Sequence, residues 1–180
     1  MRRAVGCLLL LGSIALAQTD WTPPPPPGAQ TLAEYGELVQ TLATAKEELM
    51  LATDVLQAKE VAEAVRIAMV ERGVEVYLLV PPEAMADPAS FFISLAFAGA
   101  NVRLVPFEGN FAIVDRRVLV SGPMLAGLTQ LPSEAPEPTL LQQNEAEVAS
   151  YVSSFYESFS AAEPYSTDNF LRSLDLSQEE

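Results

Sequence analysis

The residues best suited to chemistry lie in segment 106–123, PFEGNFAIVDRRVLVSGP. It carries two carboxylates, Glu108 and Asp115, with the amide of Asn110 between them. Two carboxylates can act as general acid and general base when their side chains converge and one pKa is raised. The same segment also fits an ordinary β-hairpin, in which Asp115 opens the Asp-Arg-Arg turn and Gly122 serves the backbone after the second strand. Both interpretations are open from the residues alone.

The chain contains no histidine, and Cys7 is its single cysteine. This composition excludes Ser–His and Cys–His catalysis and removes the side chains that most transition-metal sites use. We therefore expect no metal site and no cofactor. Because Cys7 lies in a segment that we expect to be removed, the mature chain has no thiol and no disulfide.

The first residues predict export. Residues 1–17 combine Arg2 and Arg3, the apolar run LLLLGSIALA and a small-x-small sequence ending at Ala17. This combination is typical of a signal peptide cleaved after Ala17. We therefore expect an exported protein, periplasmic or secreted. The alternative is that the segment stays as an uncleaved anchor, and we expect contact with a membrane only in that case.

The rest of the chain predicts one domain between a linker and a tail. Residues 18–30 include five consecutive prolines, which favour an extended polyproline II linker. Residues 31–165 are long enough and apolar enough for a single α/β domain. Residues 166–180 are polar and form a C-terminal tail.

The charge is strongly negative, with 24 acidic residues against 10 basic ones and a formal net charge of −14. Binding of nucleic acid relies on Lys and Arg displacing counterions from phosphates. We therefore expect no nucleic acid partner. The simplest role of the charge is to keep an exported domain soluble.

Helical and strand patterns alternate along the domain. A capping box at Thr31 and Glu34 predicts the start of a first helix, and Asp87 followed by Pro88 predicts the start of an apolar one. Gly73 is a stop signal for the helix between two apolar strands. The predicted order is helix, ELMLAT strand, helix, VEVYLLV strand, helix, NVRLVPF strand, hairpin, and a final helix from Leu140. Strands separated by helices imply parallel crossovers, and the hairpin adds antiparallel pairing. The fold class is therefore α/β, with a mixed sheet of about five or more strands and helices on both faces.

Three passages resemble the phospholipase D-like superfamily. They are AVRIAMVERGVEVYLLV, AGANVRLV and the hairpin, in that order. The family signature is His-x-Lys, four residues, Asp, six residues, Gly-Ser. Alignment of its aspartate with Asp115 puts Glu108 at the histidine position, Asn110 at the lysine position and Gly122 at the glycine position. The serine position falls on Pro123.

This resemblance implies a degenerate site. In the family the histidine attacks phosphorus and the lysine neutralises the phosphate oxygens, whereas Glu108 would repel a phosphodiester and Asn110 carries no charge. The resemblance thus predicts a pseudoenzyme with a binding, scaffolding or partner-regulating role. Since single-domain members of the family pair, it also predicts a homodimer or a protein partner in the cell envelope.

Two other functions compete with this interpretation. The chain can be a hydrolase with altered chemistry, in which Glu108 and Asp115 converge as acid and base. It can also be an unrelated exported α/β binding module.

Overall fold

The structure is a computed structural model that describes residues 28–85, 87–106, 109–127 and 138–167. The described strands are β1 (Gln30–Thr31), β2 (Glu48–Thr53), β3 (Glu75–Val80), β4 (Asn101–Leu104), β5 (Asn110–Val114), β6 (Val118–Ser121), β7 (Leu140–Gln142) and β8 (Glu163–Pro164). The described helices are α1 (Tyr35–Leu42), α2 (Lys59–Arg72), α3 (Pro82–Met85), α4 (Phe92–Ala98) and α5 (Glu145–Ala161), with a 3₁₀ turn at Pro123–Ala126. The predicted signal peptide 1–17, residues 18–27 of the predicted linker 18–30 and most of the predicted tail 166–180 lie outside these residues.

All eight described strands form one sheet, in the order β1-β7-β6-β5-β2-β3-β4-β8. Strands β2, β3 and β4 are parallel, as expected for strands joined by helical crossovers. The hairpin of β5 and β6 pairs antiparallel to β2, and β7, β1 and β8 add further antiparallel pairs. The predicted mixed sheet of five or more strands is confirmed.

Helices cover both faces of the sheet. Helices α1, α2 and α4 pack on one face around alternate strand residues such as Leu49 and Leu51. Helix α5 packs on the other face, where Phe155 meets Met50 and Ile113. All six residues of β2 are buried, which explains why its sequence is an almost continuous apolar run.

Helix α2 ends where its sequence predicts. Gly73 has a φ of 73°, and its N–H donates to the carbonyl of Met69 at 3.1 Å. The N–H of Val74 donates to the carbonyl of Ala68 at 3.0 Å. These two bonds close the helix with a left-handed residue, a position that favours glycine.

Two predicted helix starts are wrong. Thr31 belongs to β1, and α1 begins at Tyr35 with Glu34 as an N-cap that makes no side-chain cap bond. Asp87 accepts a hydrogen bond from the N–H of Ala89 at 2.9 Å and so forms a separate turn ahead of α4. The Asp87 side chain organises a short local turn, which has the same sequence signature as a helix cap, whereas Thr31 pairs with Leu140 in the sheet.

The predicted helix from Leu140 is also wrong at its start. Leu140 to Gln142 form β7, which pairs with β6 and with β1. Helix α5 follows at Glu145, where the Asn144 side chain accepts a hydrogen bond from the N–H of Glu147 at 3.2 Å. Helix α5 then leads to β8 at the opposite end of the strand order.

Within the described ranges, none of the helices has both the length and the apolar character needed to cross a bilayer.

Candidate functional site

The hairpin places its polar residues at opposite ends of the sheet. Asn110 begins β5 and pairs with Thr53, the last residue of β2, at the carboxyl ends of the parallel strands. We call this the carboxyl edge. Asp115 follows Val114, at the other end of β5. Five residues of extended chain separate the two positions by about 17 Å. Glu108 lies outside the described residues.

At the carboxyl edge, the hydrogen-bond network fixes the amide of Asn110. With the amide oxygen and nitrogen assigned from their surroundings, the nitrogen donates to Asp54 Oδ1 at 3.0 Å and to the carbonyl of Gly109 at 3.3 Å, and it also contacts Thr53 Oγ1. Thr53 Oγ1 in turn donates to the carbonyl of Val55 at 2.6 Å. The Asn110 amide nitrogen is therefore engaged by neighbouring oxygen atoms of the protein.

Gly122 lies beside Asn110, since its N–H donates to the Asn110 carbonyl at 2.8 Å. Its φ is 136°, and a Cβ at this position would lie 2.6 Å from the Cα of Thr139 and 2.7 Å from its Oγ1. Thr139 is almost fully buried, and its hydroxyl accepts from the N–H of Met124 at 3.1 Å. Gly122 thus serves backbone geometry and close packing. The structure brings it together with Asn110 and leaves Asp115 apart.

The Asp115 carboxylate binds the segment that leads into β2. Its oxygens accept hydrogen bonds from the N–H groups of Lys46 at 3.0 Å, Glu47 at 2.9 Å and Glu48 at 3.1 Å. Partial burial raises the pKa of the Asp115 carboxyl. The three backbone donors and the charge of Arg117 outweigh that effect, so this pKa lies below its usual value.

The turn itself has an unusual backbone. Asp115 has a φ of 49° and Arg116 a φ of 54°, the sign that both central residues of a type I′ turn require. The N–H of Arg117 closes the turn on the carbonyl of Val114 at 3.0 Å. Glycine or asparagine normally occupies such positions, so the side-chain bonds of Asp115 and Arg116 compensate for a conformation that costs free energy.

Sequence reasoning missed the network around Glu48. This side chain is mostly buried at the start of β2. The Nε and Nη2 atoms of Arg116 each donate to one of its carboxylate oxygens. The Tyr156 hydroxyl donates to Glu48 Oε2 at 2.8 Å. Burial first, and then the hydrogen bond to Glu48, raises the pKa of Tyr156. A charged residue at the start of a buried strand is the sequence signal that could have indicated an ion pair.

A second tyrosine at this end also stays protonated at neutral pH. The Tyr77 hydroxyl donates to Glu75 Oε2 at 2.7 Å. This bond, with burial, raises the pKa of Tyr77 to about 12. The amino end of the strands therefore presents carboxylates and phenols that are already satisfied by one another, which favours a structural role over acid–base chemistry.

We also searched the described residues for a ligand groove and for a metal site. A groove of about 600 Å³ lies between α1 and α2. Its lining is mainly apolar, from Val39, Ala43, Ala64 and Ile67, and it includes none of the predicted site residues. In the four described ranges, no group of three or more His, Cys, Asp or Glu side chains is arranged to hold a metal ion.

No protein-family model matches the chain, and no curated protein matches it by sequence. Its fold does match solved structures. One is Nuc from Salmonella typhimurium, described as a phospholipase D family member, with a TM-score of 0.61 and 17% identity over 78% of this chain and 96% of that one. The chain has a phospholipase D-like fold. NucT from Helicobacter pylori is also similar, with a TM-score of 0.64 and 15% identity over 76% of this chain and 97% of that one. The expected fold is confirmed.

A third similar structure corrects the expectation about partners. TrmBL2, described as an archaeal chromatin protein with a novel mode of DNA binding, has a TM-score of 0.56 and 20% identity over 77% of this chain and 53% of that one. A protein described as binding DNA thus contains a region similar in fold to this chain, and the expectation of no nucleic acid partner is wrong. It rested on the net charge of −14, which sums the whole chain, whereas binding depends on local surface charge. Neither this single chain nor the similar structures show a homodimer.

Replacement of Asp115 should destabilise the protein in a pH-dependent way. Asp115→Asn keeps one acceptor oxygen and tolerates the positive φ, so we expect a loss of about 1 kcal/mol at pH 7, and about 2 kcal/mol for Asp115→Ala. Because the folded-state pKa is lowered, the contribution of the carboxylate is present above the unfolded pKa of about 3.9 and is lost as the pH falls through the folded value. Urea unfolding of the wild type and the variants at pH 7 and pH 3 measures this contribution to the free energy of unfolding. An equal loss for Asp115→Asn at both pH values would contradict this role.

Gly122→Ala should be more destabilising than Gly99→Ala. Both glycines have positive φ, 136° and 113°, but among the described residues a Cβ at Gly99 has no neighbour within 4 Å. We expect about 3 kcal/mol for Gly122→Ala, from strain and the clash with Thr139, and about 1 kcal/mol for Gly99→Ala. Urea unfolding of the two variants compares these values. Similar losses would show that the approach to Thr139 is not the constraint.

Proposed function

We propose that this chain is an exported phospholipase D-like domain that acts by binding and does not hydrolyse phosphodiesters. The observation that carries the proposal is the contact between Asn110 and Asp54. Asn110 stands where the resemblance places the phosphate-binding lysine, and its amide nitrogen donates to a carboxylate at 3.0 Å. The chain also contains no histidine to act as a nucleophile or as an acid.

The chemistry of the edge supports this proposal. Phosphoryl transfer needs positive charge at the equatorial oxygens and a nucleophile in line with the leaving group. Among the described residues at the carboxyl edge, Asn110 contacts the charged side chain of Asp54, and this charge repels a phosphate. Reorienting the Asn110 amide toward a phosphate would break its bond to Asp54 without adding a charge.

The described part of the chain gives little support to a hydrolase with a carboxylate pair. Asp115 lies at the far end of β5 from Asn110, and backbone N–H groups bind its carboxylate. Their effect on its pKa is downward, whereas a general acid at neutral pH needs an upward shift. The fold likewise favours a phospholipase D-like domain over an unrelated α/β module.

Catalysis is tested with bis(p-nitrophenyl) phosphate and with single-stranded and double-stranded DNA. We expect no hydrolysis above the blank without protein, while an active phospholipase D family enzyme serves as the positive control. Binding of DNA without cleavage is compatible with the proposal. Turnover that co-purifies with the chain and disappears in Glu108→Gln would contradict it and support the carboxylate hydrolase.

Export is tested by expression of the whole chain in a bacterial host. We expect the recovered protein to begin at Gln18, because residues 1–17 have the features of a cleaved signal peptide. Intact mass spectrometry of the periplasmic and cytoplasmic fractions gives the N-terminus. The variant Ala15→Trp with Ala17→Trp, which has no small residues at the cleavage site, should keep residues 1–17. Wild-type protein that retains Met1 in the cytoplasm would rule out export.

A further inference from the structure

We propose that segment 168–180 folds back over its own domain and covers an apolar patch on the outer side of α2 and α4. The patch consists of Ile67 and Val70 on α2 and of Ile93 and Phe97 on α4, and we call it the α2–α4 patch. It lies on the opposite face of the sheet from α5. An occupant for this surface goes beyond the proposed function, because the hairpin forms no part of it.

Val70 and Phe97 are unusually exposed for their size. Among the described residues they are the large apolar side chains with high exposure, at 55% and 49%. Ile67 lies three residues before Val70, and Ile93 lies four residues before Phe97, so each pair shares one side of its helix. Both isoleucines are partly buried. An apolar surface on adjacent helices is typical of a docking site for another apolar element.

The two halves of the α2–α4 patch are neighbours. Helices α2 and α4 pack against each other on one face of the sheet, and packed helices lie about 8–10 Å apart. They lead into β3 and β4, which are adjacent and parallel. Val70 lies three residues before Gly73 and Phe97 two residues before Gly99, the glycines that end the two helices. The two exposed side chains are therefore at the same edge of the sheet, near the amino ends of β3 and β4.

The described chain ends beside this patch. Strand β8 runs antiparallel to β4, so the chain after it continues toward the amino end of β4, which follows α4. The N–H of Tyr165 donates to the carbonyl of Val102 at 3.0 Å, and the Tyr165 side chain packs with the core on the α4 side of the sheet. Thr167, the last described residue, has helical backbone geometry. Segment 168–180 therefore begins close to the end of α4 and to Phe97.

The sequence of segment 168–180, DNFLRSLDLSQEE, supplies a matching apolar face. In a helix, Phe170, Leu171 and Leu174 share one side, whereas Leu176 points to the opposite side. A helix of these 13 residues extends about 20 Å, enough to cross both α4 and α2. An isolated helix of this length is only marginally stable in water, so packing on an apolar surface is what stabilises it.

A second copy of the chain is the alternative occupant of the α2–α4 patch. Attachment at Thr167 favours the segment of the same chain, because a group attached this closely has an effective concentration of about a millimolar or more. A separate copy reaches such a concentration only in concentrated solution. While the segment is docked, Val70 and Phe97 are covered. The segment then also controls whether a protein partner can reach this surface.

The test places a spin label on the segment and detects its approach to the patch by NMR. Cys7→Ser leaves the full chain without a thiol, so one introduced cysteine is labelled selectively. A nitroxide on Ser173→Cys, at the border of the apolar face, should strongly broaden the ¹⁵N–¹H signals of Val70 and Phe97. The signal of Ser153, on α5 and thus on the other face of the sheet, should keep its intensity.

Two leucine variants test the apolar face of the segment. Leu174→Ser removes an apolar side chain from the proposed contact and should lower the equilibrium constant for docking by about tenfold, which restores the signals of Val70 and Phe97. The matched control is Leu176→Ser, the same change on the opposite side of the helix, and it should lower this constant by less than about threefold. Thermal unfolding verifies that each variant is folded.

Three outcomes would overturn the inference. Full intensity of the Val70 and Phe97 signals in the labelled chain would show that the segment does not cover the patch. Equal effects of Leu174→Ser and Leu176→Ser would show that the apolar face does not direct the contact. A mixture of ¹⁵N chains without the label and labelled chains without ¹⁵N separates the two occupants, and broadening there would assign the patch to a second copy. None of these results involves phosphodiester hydrolysis, the result that contradicts the proposed function.

Discussion

The bonds of Asp115 to the chain that enters β2 are the constraint on which the arrangement of the hairpin depends. They join the turn of the hairpin to the amino end of the central strand and satisfy three backbone donors there. They also hold the pairing of β5 on β2 in one register. A shift of one residue would turn every side chain of β5 to the opposite face, so the register decides which residues are buried. The register also pairs Asn110 with Thr53, at a point about 17 Å along β5 from Asp115.

The two ends of the hairpin therefore have different chemistry. At the turn, Glu48, Arg116 and Tyr156 bond to one another, and the Glu48 side chain is mostly buried whereas that of Arg116 is 58% exposed. Removal of Arg116 or Tyr156 would leave the Glu48 carboxylate with fewer hydrogen-bond donors. At the other end, Asn110 is partly buried, Asp54 and Gly109 are exposed, and the Asn110 amide nitrogen donates to both of these neighbours. The residues whose spacing resembles one catalytic motif thus lie in two places: Asp115 at the turn, where it has a structural role, and Asn110 and Gly122 at the carboxyl edge.

The sequence predicted the parts of the fold that carry strong local patterns. The β2 strand, the α2 helix with its Gly73 stop and the hairpin are each encoded by a continuous run of residues. The missed strands β1, β7 and β8 are two or three residues long, and their existence depends on distant partners. The site was predicted only in part, because spacing indicates that residues share a hairpin but not which end each occupies. The charge argument against nucleic acid failed for a similar reason, since the net charge of a chain does not say where on the surface its charged residues lie.

Helix α5 has one more consequence for the architecture. It leaves from β7, second in the strand order, and returns the chain to β8, the last strand. Six strand spacings separate them, about 29 Å, and 17 helical residues extend about 25 Å. The helix and the three residues that join it to β7 and β8 together cover that distance. A single crossover on one face of the sheet therefore connects the last strand, β8, with a strand next to the opposite edge.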